Sequence, residues 1–263
     1  MAPGGFRTTA ATLNGRVPVE SSLMSLVQQA RLSALTALGR HPTLFHLVAG
    51  FGSGRQTLVT ETTGLCIEAP PRCGNSFFVT GFSMANPEVQ LAHHHHVPAQ
   101  VIKAIALRVP VVTLLRNPID SALAKAAPGN EPFLIGTTLR RWIVFWDVVQ
   151  GLASPIPVVP FEYLIEDPAG VIARINQQFD ASFSTAFPET ARVFAEMEGS
   201  RLSNLGLQAA ARPNPNIPHE RIAETEARLR PGALAHPLSD QALGMYRELL
   251  ARVSPSWPRT GSN

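Results

Sequence analysis

Apolar and polar residues alternate with two different periods along the chain, and the change of period marks the elements. Residues 1–19 show neither period and are expected to be disordered, with an ordered chain from about residue 21 onward. From Ser21 to Gly39 the apolar run is broken by Gln28, Gln29 and Arg31, and Leu23, Val27, Ala30, Ala34 and Leu38 recur at helical spacing, which predicts an amphipathic helix. Gly50 to Gly54 predicts a turn, followed by a short strand at Thr57 to Thr60. Gly64 to Ala69 is short, continuous and apolar enough for a buried strand; Pro70 to Asn75 then makes a tight loop, and Ser76 to Phe82 opens a helix. Pro98 suits the first position of a helix to about Arg108, with Val101, Ile102 and Ile105 inward.

The same order recurs downstream. Pro110 to Leu115 predicts a second buried strand, ended by Arg116, with Asn117 as N-cap and Pro118 as first residue of a helix through Ser121 to Ala127. A long helix carrying Trp142, Phe145, Trp146 and Val149 precedes a strand at Pro157 to Phe161, and Asp167-Pro168 caps a helix with Val171, Ile172, Ile175 and Phe179. Past Pro188 the chain is helical, interrupted at Pro213 to Pro218 and closed by a helix from Asp240 to Val253. Strands alternating with helices imply parallel pairing through right-handed crossovers. The expected fold is α/β: one domain over residues 21–263, three-layer α/β/α, with a mainly parallel central sheet holding Leu65 to Ala69 away from its edge.

Composition narrows the function. With 263 residues, 45% hydrophobic and only 16% charged, the chain is a globular protein with a sizeable core. Twenty-two basic against nineteen acidic residues leave a net charge of +3, and the basic residues are scattered, so no nucleic-acid partner is expected and any bound anion should be small. Two cysteines, Cys66 and Cys73, cannot build a disulfide framework. No apolar run reaches membrane-spanning length and no cleavable leader pattern opens the chain, which predicts a cytoplasmic protein without a membrane anchor.

In parallel α/β sheets ligands sit beyond the carboxyl ends of the strands, which directs attention to the loops after Ala69 and Leu115. Each carries an arginine. The first, Pro71-Arg72-Cys73-Gly74-Asn75-Ser76, combines a Gly-containing turn, a helix N-terminus, short polar side chains and a guanidinium, a set that cradles an anion. It lacks the GxxxxGK[ST] pattern that would hold a nucleoside triphosphate with magnesium, and no metal is expected. Cys66 and Arg72 have the spacing of a tyrosine-phosphatase loop, but Pro70 and Pro71 have no N–H to give and Cys66 lies inside the apolar run. Four consecutive histidines, His93 to His96, have no carboxylate or thiol at metal-ligand spacing; a base near neutral pH is the better use of one of them.

Taken in order, four stretches resemble the sulfotransferases that use 3′-phosphoadenosine-5′-phosphosulfate, over about Leu65 to Phe179. Pro71-Arg72-Cys73-Gly74-Asn75-Ser76-Phe77 is similar to the family's 5′-phosphosulfate loop (PRSGTT). His96-Val97-Pro98 is similar to the His-x-Pro that supplies the base, Val112 to Asp120 (VTLLRNPID) to the 3′-phosphate motif with Arg116 as its arginine, and Val158 to Glu162 with Asp167-Pro168 to a later strand-and-helix segment. The resemblance implies a P-loop-NTPase-like sulfotransferase fold, the phosphosulfate donor as cosubstrate, and transfer to a small-molecule, lipid or carbohydrate acceptor through a hydroxyl or amine. It assigns Arg72, Cys73, Gly74, Asn75, Ser76 and Phe77 to the 5′ end and adenine, Arg116 to the 3′-phosphate, and catalysis to His96, with His94 in reserve, and to Arg72. If the histidine segment is extended, His93 and His95 point the other way. The family's serine eight residues past the motif arginine is Ala124 here, with Ser121 one turn earlier as a possible substitute; the adenine-stacking aromatic is Phe77. The glycine-rich C-terminal cofactor motif has no counterpart, leaving Arg212 or Arg221 to supply its charge. A non-catalytic nucleotide-binding or scaffold relative is the alternative.

Overall fold

A computed structural model describes residues 19–154, 156–205 and 214–257. The N-terminal segment expected to be disordered lies outside the described residues as far as residue 18, and so do Arg212 and Pro213. The chain enters through helices α1 (Val19–Leu38) and α2 (Pro42–Ala49). Strand β1 (Leu65–Glu68), helix α3 (Asn75–Ala85), strand β2 (Leu91–His93), helix α4 (Pro98–Ala106) and strand β3 (Val111–Leu115) follow. Helices α5 (Pro118–Ala126) and α6 (Phe133–Val149) lead to strand β4 (Val158–Pro160) and helices α7 (Phe161–Glu166), α8 (Pro168–Phe179) and α9 (Thr190–Leu205). Helices α10 (Glu220–Leu234) and α11 (Ser239–Val253) complete the described chain.

The sheet is four-stranded, in the order β2-β1-β3-β4, and every pairing is parallel, with Cys66 opposite Val111 and Thr113 opposite Val158. β1 lies inside it, as expected. All residues of β1 and β3 are buried, so helices cover both faces. The chain moves one way from β1 to β2 and the other way from β2 to β3 and on to β4. Right-handed crossovers therefore place α3 on one face and α4, with the α5–α6 pair, on the other. The order reverses between β1 and β3, so a crevice opens at their carboxyl ends. On one side of the sheet Trp142, Phe145 and Trp146 of α6 are fully buried, as their spacing predicts.

Three expectations are corrected. No strand forms at Thr57 to Thr60: a 3-10 turn spans Ser53–Thr57, and the Gln100 side chain takes the place of a partner strand by accepting from Val59 N–H (3.1 Å) and donating to the Thr57 carbonyl (3.0 Å). The short edge strand β2 was not expected. α1 is helical but turned: Val27, Ala30 and Ala34 are exposed, while Leu32, Leu35 and Leu38 are half-buried. Both sets recur at helical spacing, so periodicity alone does not choose the inner one.

Candidate functional site

The crevice between β1 and β3 opens into a cleft of about 970 Å³. Arg72, Gly74, Asn75, Ser76, Phe77, His96 and Arg116 line it, together with Ala124, Lys125 and Arg141; α7, α9 and the start of α10 supply the outer wall. The segment after β1 reaches it through strained backbone. Arg72 has φ +67° and Gly74 φ +99°, and a Cβ on Gly74 would sit 3.0 Å from Leu164 and 3.2 Å from Phe161. Gly74 is the N-cap of α3 and offers no side chain, so the first-turn N–H groups of Asn75, Ser76 and Phe77 stay open. Asn75 is 3% exposed, yet neither its amide oxygen nor its nitrogen has a partner. Buried side-chain amides are nearly always hydrogen-bonded, so Asn75 is an exception placed at the lining of the cleft.

Arg116 enters from the end of β3. Its guanidinium donates to the Arg72 carbonyl (2.8 Å) and stacks 4.2 Å from the Phe161 ring centre, while the Trp142 indole donates to the Arg116 carbonyl (3.1 Å). Arg72 donates to Asn216, on the segment leading into α10. Burial, then the charge of Arg116, holds the Arg72 guanidinium below its ordinary range, opposed by Glu226 across the cleft. Lys125 is likewise lowered by burial and by the charges of Arg72 and Arg141. Burial lowers Arg141 to about 10. Among the described residues none of these four cations forms an ion pair.

The histidines divide. His96 lines the cleft, and its Nδ1 lies 2.9 Å from the Ala69 carbonyl. A carbonyl only accepts, so Nδ1 carries the proton and Nε2 keeps its free lone pair. Burial, reinforced by the Arg141 charge, drives its pKa well below the ordinary value, so the ring is neutral at pH 7 and a weaker base than the near-neutral one expected from the sequence. His94 instead meets Ser76 Oγ (3.2 Å), its ring 6.0 Å from that of His96. His95 turns away to Thr57 (3.1 Å), as the alternation predicted, but His93 does not: its Nδ1 lies 2.6 Å from that of His94. The segment is not extended, with φ +65° at His94 and +56° at His96, so strand alternation fails there. Burial lowers both His93 and His94 to about 4.

Glu68, at the end of β1, holds this turn together. Fully buried, its two carboxyl oxygens accept the successive backbone N–H groups of His95 (2.9 Å) and His96 (2.8 Å). Burial pushes the carboxyl up to about 8, against the pull of those bonds and of Arg141.

Two assigned residues stand elsewhere. Cys73 is fully buried with its thiol raised by burial to about 11, and its Sγ lies 3.6 Å from Ser121 Oγ; neither residue lines the cleft, whereas Ala124 does. Phe77 lines it but packs on Phe187 and Phe194, with ring centres 5.4 and 5.9 Å away. Arg221 is exposed. Glu68, Lys125 and Arg141 are the residues the motifs did not single out. A carboxylate inside a continuous apolar strand is one available signal; an arginine three residues after Thr138 and four before Phe145, within α6's buried stripe, is another.

Among the described residues no group of three or more His, Cys, Asp or Glu is placed to hold a metal ion, and no helix is long and apolar enough to cross a membrane. Comparison of the chain with family models, with curated proteins and with solved structures returns no match.

Proposed function

We propose that the chain is a sulfotransferase of P-loop-NTPase-like fold that binds 3′-phosphoadenosine-5′-phosphosulfate across the ends of β1 and β3 and passes its sulfuryl group to a hydroxyl or amine. One observation carries the reading: the open N-terminus of α3, the unpartnered Asn75 amide, and the guanidinium groups of Arg72 and Arg116 share one cleft with a neutral histidine. The donor supplies an activated sulfuryl group on a phosphate oxygen. Arg72 and the N–H groups of Asn75, Ser76 and Phe77 neutralise its 5′ end, and Arg116 its 3′-phosphate.

For an alcohol acceptor the new S–O bond forms as the S–O bond to phosphate breaks, and the electron pair leaves on the phosphate oxygen. Arg72 meets that growing charge. Nε2 of His96 takes the acceptor's proton; the Ala69 carbonyl holds the ring through Nδ1, and Glu68 positions the turn that presents it.

Calorimetry with adenosine-3′,5′-bisphosphate tests the nucleotide site, and an acceptor screen with labelled donor tests turnover. Saturable bisphosphate binding with transfer to an acceptor is expected; His96→Ala keeps the binding and loses roughly 10²–10⁴ in transfer. Binding without turnover across the screen selects the non-catalytic relative. Absence of bisphosphate binding overturns both readings.

A further inference from the structure

We propose that the end of the cleft beside His96, where Lys125 and Arg141 converge, is the acceptor's subsite, and that the acceptor bears an anionic group, a phosphate, sulfate or carboxylate, near the hydroxyl or amine that is modified. The inference rests on the sulfotransferase reading and deepens it.

The four cations of the cleft are graded along it: Arg72 and Arg116 stand at the strand ends, Arg141 beside Glu68 and His96, and Lys125 between them, acted on by the charges of both Arg72 and Arg141. Arg116 stands at the end of β3, against the Arg72 carbonyl, and Glu226 of α10 faces this pair. Lys125 lies seven residues beyond Pro118, about 10 Å along α5 at 1.5 Å per residue, and Arg141 projects from the neighbouring α6. Both line the cleft with His96 and their charges act on its ring, Arg141 the more strongly; Arg141 also acts on Glu68, and Lys125 also feels Arg72. With Arg116 on the 3′-phosphate and Arg72 at the 5′ end, the scissile bond faces His96. Lys125 and Arg141 then lie on the side from which an acceptor must approach.

Neither cation has a partner of its own. Among the described residues Lys125 and Arg141 make no hydrogen bond or ion pair, and Lys125 makes none with Glu131, the one carboxylate that opposes its lowering. Glu68, the carboxyl nearest in effect to Arg141, spends both oxygens on the His95 and His96 N–H groups. Two half-buried like charges that repel each other and lack a counter-ion are unfavourable unless something anionic joins them. The donor does not need them: its 5′ end has Arg72 and the open end of α3, and its 3′ end has Arg116. A neutral phenol or sterol would desolvate both charges and return nothing.

The test fills the donor site first. Wild type is saturated with adenosine-3′,5′-bisphosphate and titrated with inorganic phosphate by calorimetry; Lys125→Met and Arg141→Met, which keep the bulk of the stem, are treated alike. The expected result is a second binding event in the bisphosphate complex, weakened about tenfold by either variant while bisphosphate affinity stays unchanged. The proposal is overturned if phosphate only competes with the bisphosphate, if the variants leave phosphate binding intact, or if they weaken the bisphosphate as Arg116→Ala does. If wild type takes up no bisphosphate, the nucleotide reading falls by itself. Phosphate titrated into the free protein then still reads the anion subsite: binding lost in Lys125→Met and Arg141→Met but kept in Arg72→Ala upholds an anion site there without its acceptor role, and any other outcome overturns it.

Discussion

The loops after β1 and β3 solve the same problem in opposite ways. Each carries a chain from a buried parallel strand into a helix at the crevice, and each delivers an arginine to the same cleft. After β3 the passage is short and closed: Asn117 accepts from Ile119 N–H (2.9 Å) and Asp120 N–H (3.4 Å), Pro118 has no N–H, and Ser121 N–H is bonded to the Asn117 carbonyl. After β1 it is longer and open, held by left-handed backbone at Arg72 and Gly74, with no cap on α3. A closed helix end leaves Arg116 alone to meet a ligand. An open one adds a row of N–H groups to Arg72. The strain thus stands at the loop assigned to the reacting end of the donor, and the self-satisfied cap at the loop assigned only to hold it.

The largest effects separate the two arginines. Arg72→Ala is expected to cut sulfuryl transfer by on the order of 10²–10³, because it removes a donor that acts where charge develops. Arg116→Ala should act first on affinity, raising the Kd for adenosine-3′,5′-bisphosphate by about tenfold or more, the loss of one charge-assisted contact. Steady-state rates and calorimetry on both variants read the difference. Unchanged bisphosphate affinity in Arg116→Ala would remove it from the 3′-phosphate.

The histidine turn beyond the open loop gives the pH dependence. Glu68, raised to about 8 from an ordinary carboxylate value near 4.5, binds more protons folded than unfolded between those limits, so its contribution to stability is full at acid pH and is lost as pH rises toward 8. His93, His94 and His96, all lowered, act oppositely: below about 6.5 the unfolded chain takes up protons that the fold refuses, and stability falls with acidification. Thermal melts between pH 5 and 8 should therefore show a maximum between two falling limbs. Glu68→Gln should flatten the alkaline limb while lowering stability throughout, since an amide offers its NH2 to one of two N–H groups. Nitrogen NMR of the His96 ring should show its Nδ1–H form less populated in that variant. An unaltered alkaline limb would mean that Glu68 is ionised in the fold throughout this range.

These regions also differ in how far the chain announces them. β1, β3 and β4 are apolar runs bounded by proline, glycine or a cap, so their order, and Arg72 and Arg116 at their ends, follow from local pattern. β2 is three residues long and is a strand because Leu65 to Ile67 pair with it, which no local window contains. The β-prone Thr57-Leu58-Val59-Thr60 fails for the converse reason: the Gln100 side chain took its main-chain groups. Lys125 and Arg141 acquire their meaning only where α5 and α6 bring them to His96. Glu68 acquires its meaning only when the histidine turn folds over it.

Smaller effects test the open and closed ends themselves. Gly74→Ala puts a Cβ in left-handed backbone against Leu164 and Phe161, and should cost about 1–2 kcal/mol of stability in denaturant melts. Because the same shift re-aims the N–H groups of α3, bisphosphate affinity should fall with it. Stability lost with affinity intact would mean that the open end of α3 does not touch the ligand.

The smallest change belongs to the closed end. Asn117→Ala removes the oxygen that satisfies two first-turn N–H groups of α5, and loss of such a cap typically costs about 1 kcal/mol. Those groups would then need another acceptor, and the Ser121 N–H bond to the residue 117 carbonyl would remain to hold the turn. Arg116 is anchored independently, by the Arg72 carbonyl and the Phe161 ring, so its guanidinium should stay in place. Denaturant melts should thus show the loss while bisphosphate titrations do not. If affinity rose instead, the freed N–H groups would be reaching the 3′-phosphate, and the end of α5 would be a second open site held shut by its own cap.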